Sequence, residues 1–338
     1  MQFAHHFVYR LLLLALLTFT SCKSENNSHR EAHLREWMRE DDTKRVLCTT
    51  AMVRDLVERV GGGSIKTLTL IQGEHDPHSY QLVKGDDEKF LRADAIFYSG
   101  LGLEHNPSLA HYLATHPKAH SLGGYLFKKE QKKIIYIDGA IDPHAWMDVS
   151  LWCQTVPFVV ETLSILVPEY KDIIKKNGEA LISELHHVHK CMREKMQRIP
   201  NEKRYLVTTH DAFNYFARAY LAEKEEAENG SWYRRCMAPE GLAPESQLST
   251  TDIHRLVEYL IAHDICCVFS ESNVSRDSIK KLLEASSKKG HFAVMATKPL
   301  FADSMGSKGS QADTYMAMMQ YDANTISEEI MRTSCIQH

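Results

Sequence analysis

The sequence predicts an α/β protein built as two parallel-sheet lobes joined by one long helix. Three observations predict it. The chain has 338 residues, enough for about two domains. Strand-like runs alternate with helical patterns in both halves, which argues for parallel sheets covered by helices. Between the halves, residues 169–199 hold no proline and place Ile174, Leu181, Leu185, Val188, Met192 and Met196 on one helical stripe. At ~1.5 Å per residue such a helix runs roughly 45 Å, and Pro200 closes it.

The elements follow in order. Residues 1–22 precede the fold. A weakly basic start leads into the apolar run 11–17, which is too short to span a bilayer and reads as an export signal. Small residues just before Cys22 resemble a bacterial lipoprotein cleavage site, where the cysteine becomes a lipid-bearing N-terminus. Residues 23–43 are polar, without an apolar period, and are expected to be a flexible tether. The first lobe is expected over 44–167. It opens with a strand at 45–50 and a helix through Val53, Leu56, Val57 and Val60, which the glycines 61–63 end. Further strands are expected at 65–71, 93–99 and 133–137. The linking helix occupies 168–200 and the second lobe 201–338. There, strands are expected at 205–209, 265–270 and 292–296, and helices at 212–220, 252–262 and 278–286. The stretch 223–246, punctuated by Gly230, Pro239, Gly241 and Pro244, reads as a long loop.

Composition narrows the function. Hydrophobic residues are 43% and charged residues 25%, both ordinary for a globular protein. The net charge is −4 and there is no basic block, which argues against a nucleic-acid partner. Beyond Cys22 stand Cys48, Cys153, Cys191, Cys236, Cys266, Cys267 and Cys335. Export permits disulfides, and the odd count leaves at least one thiol unpaired within the chain. Cys266 and Cys267 lie in an apolar run and are expected to be small core residues.

One phrase occurs twice. His75-Asp76-Pro77-His78-Ser79-Tyr80 is echoed at Ile141-Asp142-Pro143-His144-Ala145-Trp146. Proline restricts its own φ and that of the residue before it, so each His leaves a rigid corner. With 19 histidines in the chain a single one carries little weight, but two copies with matching flanks do. His210 follows the strand at 205–209, and Asp303 follows the strand around Val294 by a short loop. Ligands in open α/β sheets bind beyond the carboxyl ends of strands. Each lobe thus offers two candidates to a cleft between lobes: His78 and His144 from one, His210 and Asp303 from the other. Three imidazoles and a carboxylate suit a divalent first-row ion. Asp76 and Asp142 are candidates to brace these ligands, or simply to cap their turns. The run His186-His187-Val188-His189-Lys190-Cys191 competes weakly, because His187 and Cys191 share a helix face but offer only two ligands.

With these motifs in hand, residues 45–330 resemble the metal-binding lipoproteins of bacterial zinc, manganese and iron ABC importers, the cluster that includes the TroA and ZnuA types. The resemblance rests on both Asp-Pro-His segments, on residues 98–104, on Val207-Thr208-Thr209-His210-Asp211-Ala212-Phe213 and on Phe301-Ala302-Asp303-Ser304. It implies His78, His144, His210 and Asp303 as ligands of one transported ion, Fe²⁺, Zn²⁺ or Mn²⁺. Residues 83–86 and 235–245 look most like the YtgA type, associated with iron. The implied function is a monomeric solute-binding protein, exported and lipid-anchored to a bacterial membrane. It would hand its ion to a permease driven by a cytoplasmic ATPase. No nucleotide motif GxxxxGK[ST] is present, and the protein is not expected to be an enzyme. The alternatives are a metal-dependent adhesin and a zinc hydrolase; the latter lacks the HExxH motif.

Overall fold

A computed structural model describes residues 30–73, 75–244 and 249–335. The export signal 1–22 with Cys22, and residues 23–29 of the expected tether, lie outside the described residues.

The rest of that tether is not a tether. Residues 30–38 form a helix, α1, whose Trp37 is 1% exposed. Leu34, Trp37 and Met38 share one helix face and pack on the first lobe's core beside Leu68, Leu70 and Ile71. Trp37 Nε1 donates to Lys66 O at 3.2 Å. A three-residue apolar stripe inside a polar segment is easily read as no stripe.

The first-lobe sheet is parallel. Strand β1 (Lys44–Cys48) lies between β2 (Ile65–Thr69) and β3 (Ala95–Tyr98), and β4 (Ala119–Ser121) completes the order β2-β1-β3-β4. Val46, Leu47 and Cys48 are all fully buried, as expected where helices cover both faces. Helix α2 (Ala51–Gly61) begins at Thr50, whose Oγ1 accepts from Val53 N at 3.4 Å. Helices α3 (Asp86–Arg92), α4 (Pro107–Thr115) and α5 (Leu122–Lys129) fill the connections. The strand expected at 133–137 does not join this sheet. Instead β5 (Tyr136–Ile137) and β6 (Ala140–Ile141) make a small antiparallel hairpin. Its turn residues Asp138 and Gly139 both have positive φ, as a two-residue hairpin turn requires. The fourth strand is β4, too short and too polar to stand out in the sequence.

Helices α6 (Val149–Cys153) and α7 (Val156–Leu166) lead to α8 (Lys171–Gln197), which Pro168–Tyr170 precede as a 3-10 turn. The buried face of α8 is Ile174, Gly178, Leu181, Leu185, Val188, Met192 and Met196. Gly178 allows α7 to come close: a Cβ there would lie 2.4 Å from Val160 Cγ2.

In the second lobe β7 (Leu206–Val207) pairs in parallel with β8 (Cys236–Met237), and β9 (Cys267–Val268) with β10 (Val294–Met295). Phe269 N donates to Val207 O at 2.8 Å and sets β9 beside β7. The order β8-β7-β9-β10 therefore repeats that of the first lobe: second strand, first, third, fourth. The helices are α9 (Asn214–Phe216) with its π-helical continuation Ala217–Leu221, α10 (Lys224–Asn229), α11 (Thr250–Ala262), α12 (Asp277–Lys288) and α13 (Tyr315–Arg332). Along its length α8 packs against α2, α6 and α7 of the first lobe and against α13 and the π-helical turn of the second.

Two sequence expectations fail here. The segment 223–246 is no long loop, since it contains α10 and the edge strand β8. A capping box between Glu223 and Glu226 starts α10, and the buried Arg235 guanidinium ties it back through Glu226 at 2.8 Å and Asn201 O at 2.7 Å. Nor are both adjacent cysteines core residues. Cys267 is 3% exposed, but Cys266 faces the other side of the strand and is disulfide-bonded to Cys335.

Candidate metal centre

Each candidate ligand sits on a short, hydrogen-bonded corner. After β2 the Asp76-Pro77 step turns the chain, and Asp76 accepts from His78 N at 2.9 Å and from Ser79 Oγ at 2.7 Å. Asp76 caps its turn through the backbone of His78 and the side chain of Ser79. Asp142 reaches both the backbone and the ring of its histidine. Its Oδ1 accepts from His144 N at 2.9 Å and lies 2.7 Å from His144 Nδ1. Tyr215 adds a brace, accepting from Ile135 N and donating to Asp142 O at 3.1 Å.

His210 ends the β7 segment and Glu271 ends that of β9. Glu271 Oε1 accepts from Thr209 N and His210 N, each at 2.9 Å, while Oε2 lies 2.5 Å from His210 Nδ1. Sequence reasoning missed Glu271. Its signal was position: a carboxylate directly beyond the strand 265–270, beside a His placed the same way. Asp303 follows β10. Asp322 of α13 accepts from Phe301 N at 3.0 Å, and Trp146 Nε1 of the first lobe donates to Ala302 O at 2.9 Å. The loop carrying Asp303 is thus pinned from both lobes.

These corners bring His78, His144, His210 and Asp303 together, with one donor atom of each within 4.8 Å of all the others. Asp303 Oδ2 lies 3.1 Å from His210 Nε2 and 3.6 Å from His78 Nε2, and Oδ1 lies 3.4 Å from His144 Nε2. His78 Nε2 and His144 Nε2 are 3.3 Å apart. A tetrahedral ion with bonds of ~2.0–2.1 Å requires donor atoms about 3.3 Å apart, so the cluster has the right size. Both Asp303 oxygens and His210 Nε2 are buried without a hydrogen-bond partner. A buried carboxylate in that state is costly, and a cation among the four would satisfy it.

Charge follows geometry. Burial works against a charged His144, but the Asp142 and Asp303 carboxylates outweigh it and raise the imidazole to about 9. His210 is likewise raised well above its ordinary value, burial being overcome by Glu271 and Asp303. Burial would push Asp303 up, yet the three imidazoles hold it well below the usual carboxylate range. Without an ion, the raised imidazoles of His144 and His210 supply positive charge beside Asp303.

The competing helix cluster stays apart. His187 Nε2 and Cys191 Sγ are 3.5 Å apart on the exposed face of α8, and His189 is bonded to Tyr220 Oη at 3.0 Å.

Fold and site together define a two-lobed α/β binding protein in which donors from both lobes converge on a space the size of one ion. The family model "Zinc-uptake complex component A periplasmic" (ZnuA) matches residues 46–329, and the chain belongs to that family. It is 36% identical over 330 residues to the metal-binding protein YtgA of Chlamydia trachomatis, covering 98% of each chain. The crystal structure of Fe(III)-bound YtgA from C. trachomatis superposes with a TM-score of 0.80 at 36% identity, covering 85% of this chain and 98% of that one. The periplasmic zinc-binding protein TroA from Treponema pallidum does so at 0.76 and 28% identity, covering 85% and 99%.

Proposed function

We propose that this protein captures one divalent metal ion outside the cytoplasmic membrane and delivers it to an ABC-type importer. His78, His144, His210 and Asp303 are its ligands, while Asp142 and Glu271 hold two of the imidazoles in the productive tautomer. The observation that carries the reading is the buried, unpartnered Asp303 carboxylate facing three Nε2 atoms at 3.1–3.6 Å. The family and its metal-binding members support it. Three imidazoles and one carboxylate favour Zn²⁺ and Fe²⁺ over Mn²⁺ by ligand softness. Iron as the element carried is supported by the likeness to YtgA, which is known bound to Fe(III), the trivalent state rather than the divalent one. A closed set of four protein ligands leaves no position for a reacting water, so the protein acts as a carrier and not as a hydrolase. Lipid at Cys22 anchors the chain, which works as a monomer beside the permease.

Zinc titration into the metal-stripped protein tests the site. Wild type should bind one ion per chain, and His144→Ala and Asp303→Asn should bind it far more weakly. Unchanged stoichiometry and affinity in both variants would remove these residues from the site. Exchange separates a carrier from an adhesin that uses the ion structurally, since a carrier must give its ion up to a competing chelator while folded.

A further inference from the structure

The converging side chains have almost no surface of their own. His144 and His210 are 0% exposed, His78 is 1% and Asp303 3%. An ion arriving from solvent must lose water and gain donors before it reaches them. Among the described residues, one exposed imidazole touches the set. The ring of His105 lies 5.5 Å from that of His78, tilted by 49°.

That spacing is informative. The three imidazole pairs inside the cluster have ring centres 5.3, 5.3 and 6.2 Å apart. The His78–His105 pair falls within the same range. With metal–nitrogen bonds of ~2.0–2.1 Å, each ring centre sits about 3.2 Å from the ion, and two rings at a tetrahedral angle have centres about 5.2 Å apart. The rings of His78 and His105 are in contact, so the exposed imidazole adjoins the buried set through His78.

The backbone holds His105 in place. Glu104 is buried, and its carboxylate accepts from Thr49 Oγ1, Ser99 N and Gly100 N at 2.5, 2.8 and 3.0 Å. Leu101 and Gly102 turn the chain with positive φ, and His105 N donates to Leu103 O at 3.0 Å. On the other side, Asn106 caps α4 by accepting from Ser108 N. The backbone at His105 is therefore a fixed corner, and its ring adjoins that of His78.

We propose that His105 is an entry ligand. It takes a hydrated divalent ion at the mouth of the cleft, shares it transiently with His78, and passes it to the buried four. It is absent from the final ligand set. This rests on the metal-capture reading above. An entry ligand lowers the barrier in both directions, so it changes both rates and leaves the equilibrium alone.

The test uses Co²⁺ as a probe, mixed by stopped flow with the metal-stripped full chain and with His105→Ala and His105→Gln. Association and dissociation should both slow by about tenfold, with the dissociation constant unchanged. The visible absorption of bound Co²⁺ should be the same in all three proteins. Glutamine keeps the bulk and polarity of the position without an imidazole, so a folding defect confined to the alanine protein leaves the test intact. Wild-type rates in His105→Gln would overturn the proposal. So would weaker binding with an altered Co²⁺ spectrum, which would make His105 a permanent ligand. Failure of wild type to bind Co²⁺ at all is a separate result, and it would sink the metal-capture reading itself.

Discussion

At the scale of single residues, the proposed site is a set of candidate ligands plus the carboxylates that adjoin them. Glu271 accepts from both backbone amides around His210 and places its second oxygen beside the ring's far nitrogen, so it fixes the corner and adjoins the imidazole at once. Glu271→Gln should weaken metal affinity by about 10–100-fold without unfolding the protein, because such outer partners matter nearly as much as ligands. A calorimetric titration showing wild-type affinity would limit Glu271 to packing. In the proposed site, His210 is the position at which a change of donor tests selectivity. His210→Glu exchanges a neutral nitrogen donor for an anionic oxygen, which harder ions prefer. The affinity gap between Zn²⁺ and Mn²⁺ should narrow while binding persists; an equal or wider gap would mean that His210 does not set the choice. Protons compete for the same nitrogens. His144 is raised to about 9, so below that pH an entering ion must displace a proton from it. Affinity should therefore rise with pH through the range in which His144 and the likewise raised His210 lose their protons, with protons released on binding. A pH-independent dissociation constant would contradict the arrangement. The four candidate ligands were legible in the sequence because proline and strand ends fix where a His or Asp can stand. Glu271 and Tyr215 were not. Their roles arise from contacts across 61 and 73 residues of chain, to His210 and Asp142, and no local pattern encodes those.

At the scale of elements, long periodic segments were readable and short ones were not. The α8 stripe, the β1 run and the helix with Val53, Leu56, Val57 and Val60 all bury the residues that their periods pick out. The elements that escaped are brief or interrupted. Strand β8 has two residues, Cys236 and Met237, inside a Gly- and Pro-punctuated stretch, and it is a strand only because β7 lies alongside. Helix α1 escaped because charged residues surround the three apolar ones that face the core, Leu34, Trp37 and Met38. Its weight is nonetheless testable. Trp37 fills the cluster beneath β2, and Trp37→Ala should cost about 3–5 kcal/mol of stability. Reversible denaturation would measure it. A loss below about 1 kcal/mol would mean that residues 30–38 are a tether after all.

At the scale of the whole molecule, the two sheets share one strand order, and their carboxyl ends meet at the site with α8 running alongside both. That arrangement constrains how an ion can leave. A periplasmic-type hinge needs a few backbone residues free to absorb large φ/ψ changes. Here the crossing between lobes is a continuous helix of 27 residues whose buried face packs on both sides. The lobes are also bonded to each other at the site, through Trp146 to Ala302 O, and Tyr315 donates to Trp146 O at 2.5 Å. Opening the cleft widely would break these contacts and expose core surface together. Small tilts and local movement of the four corner loops are far cheaper. Metal removal should therefore leave the radius of gyration nearly unchanged in solution scattering. Stability, by contrast, should respond strongly. An ion at a hundredfold excess over its dissociation constant adds about 2.7 kcal/mol, because only the folded chain gathers the four ligands. A thermal shift without a change in overall dimensions is the expected signature. A large expansion on metal removal would mean that α8 bends, and that the release mechanism is a hinge.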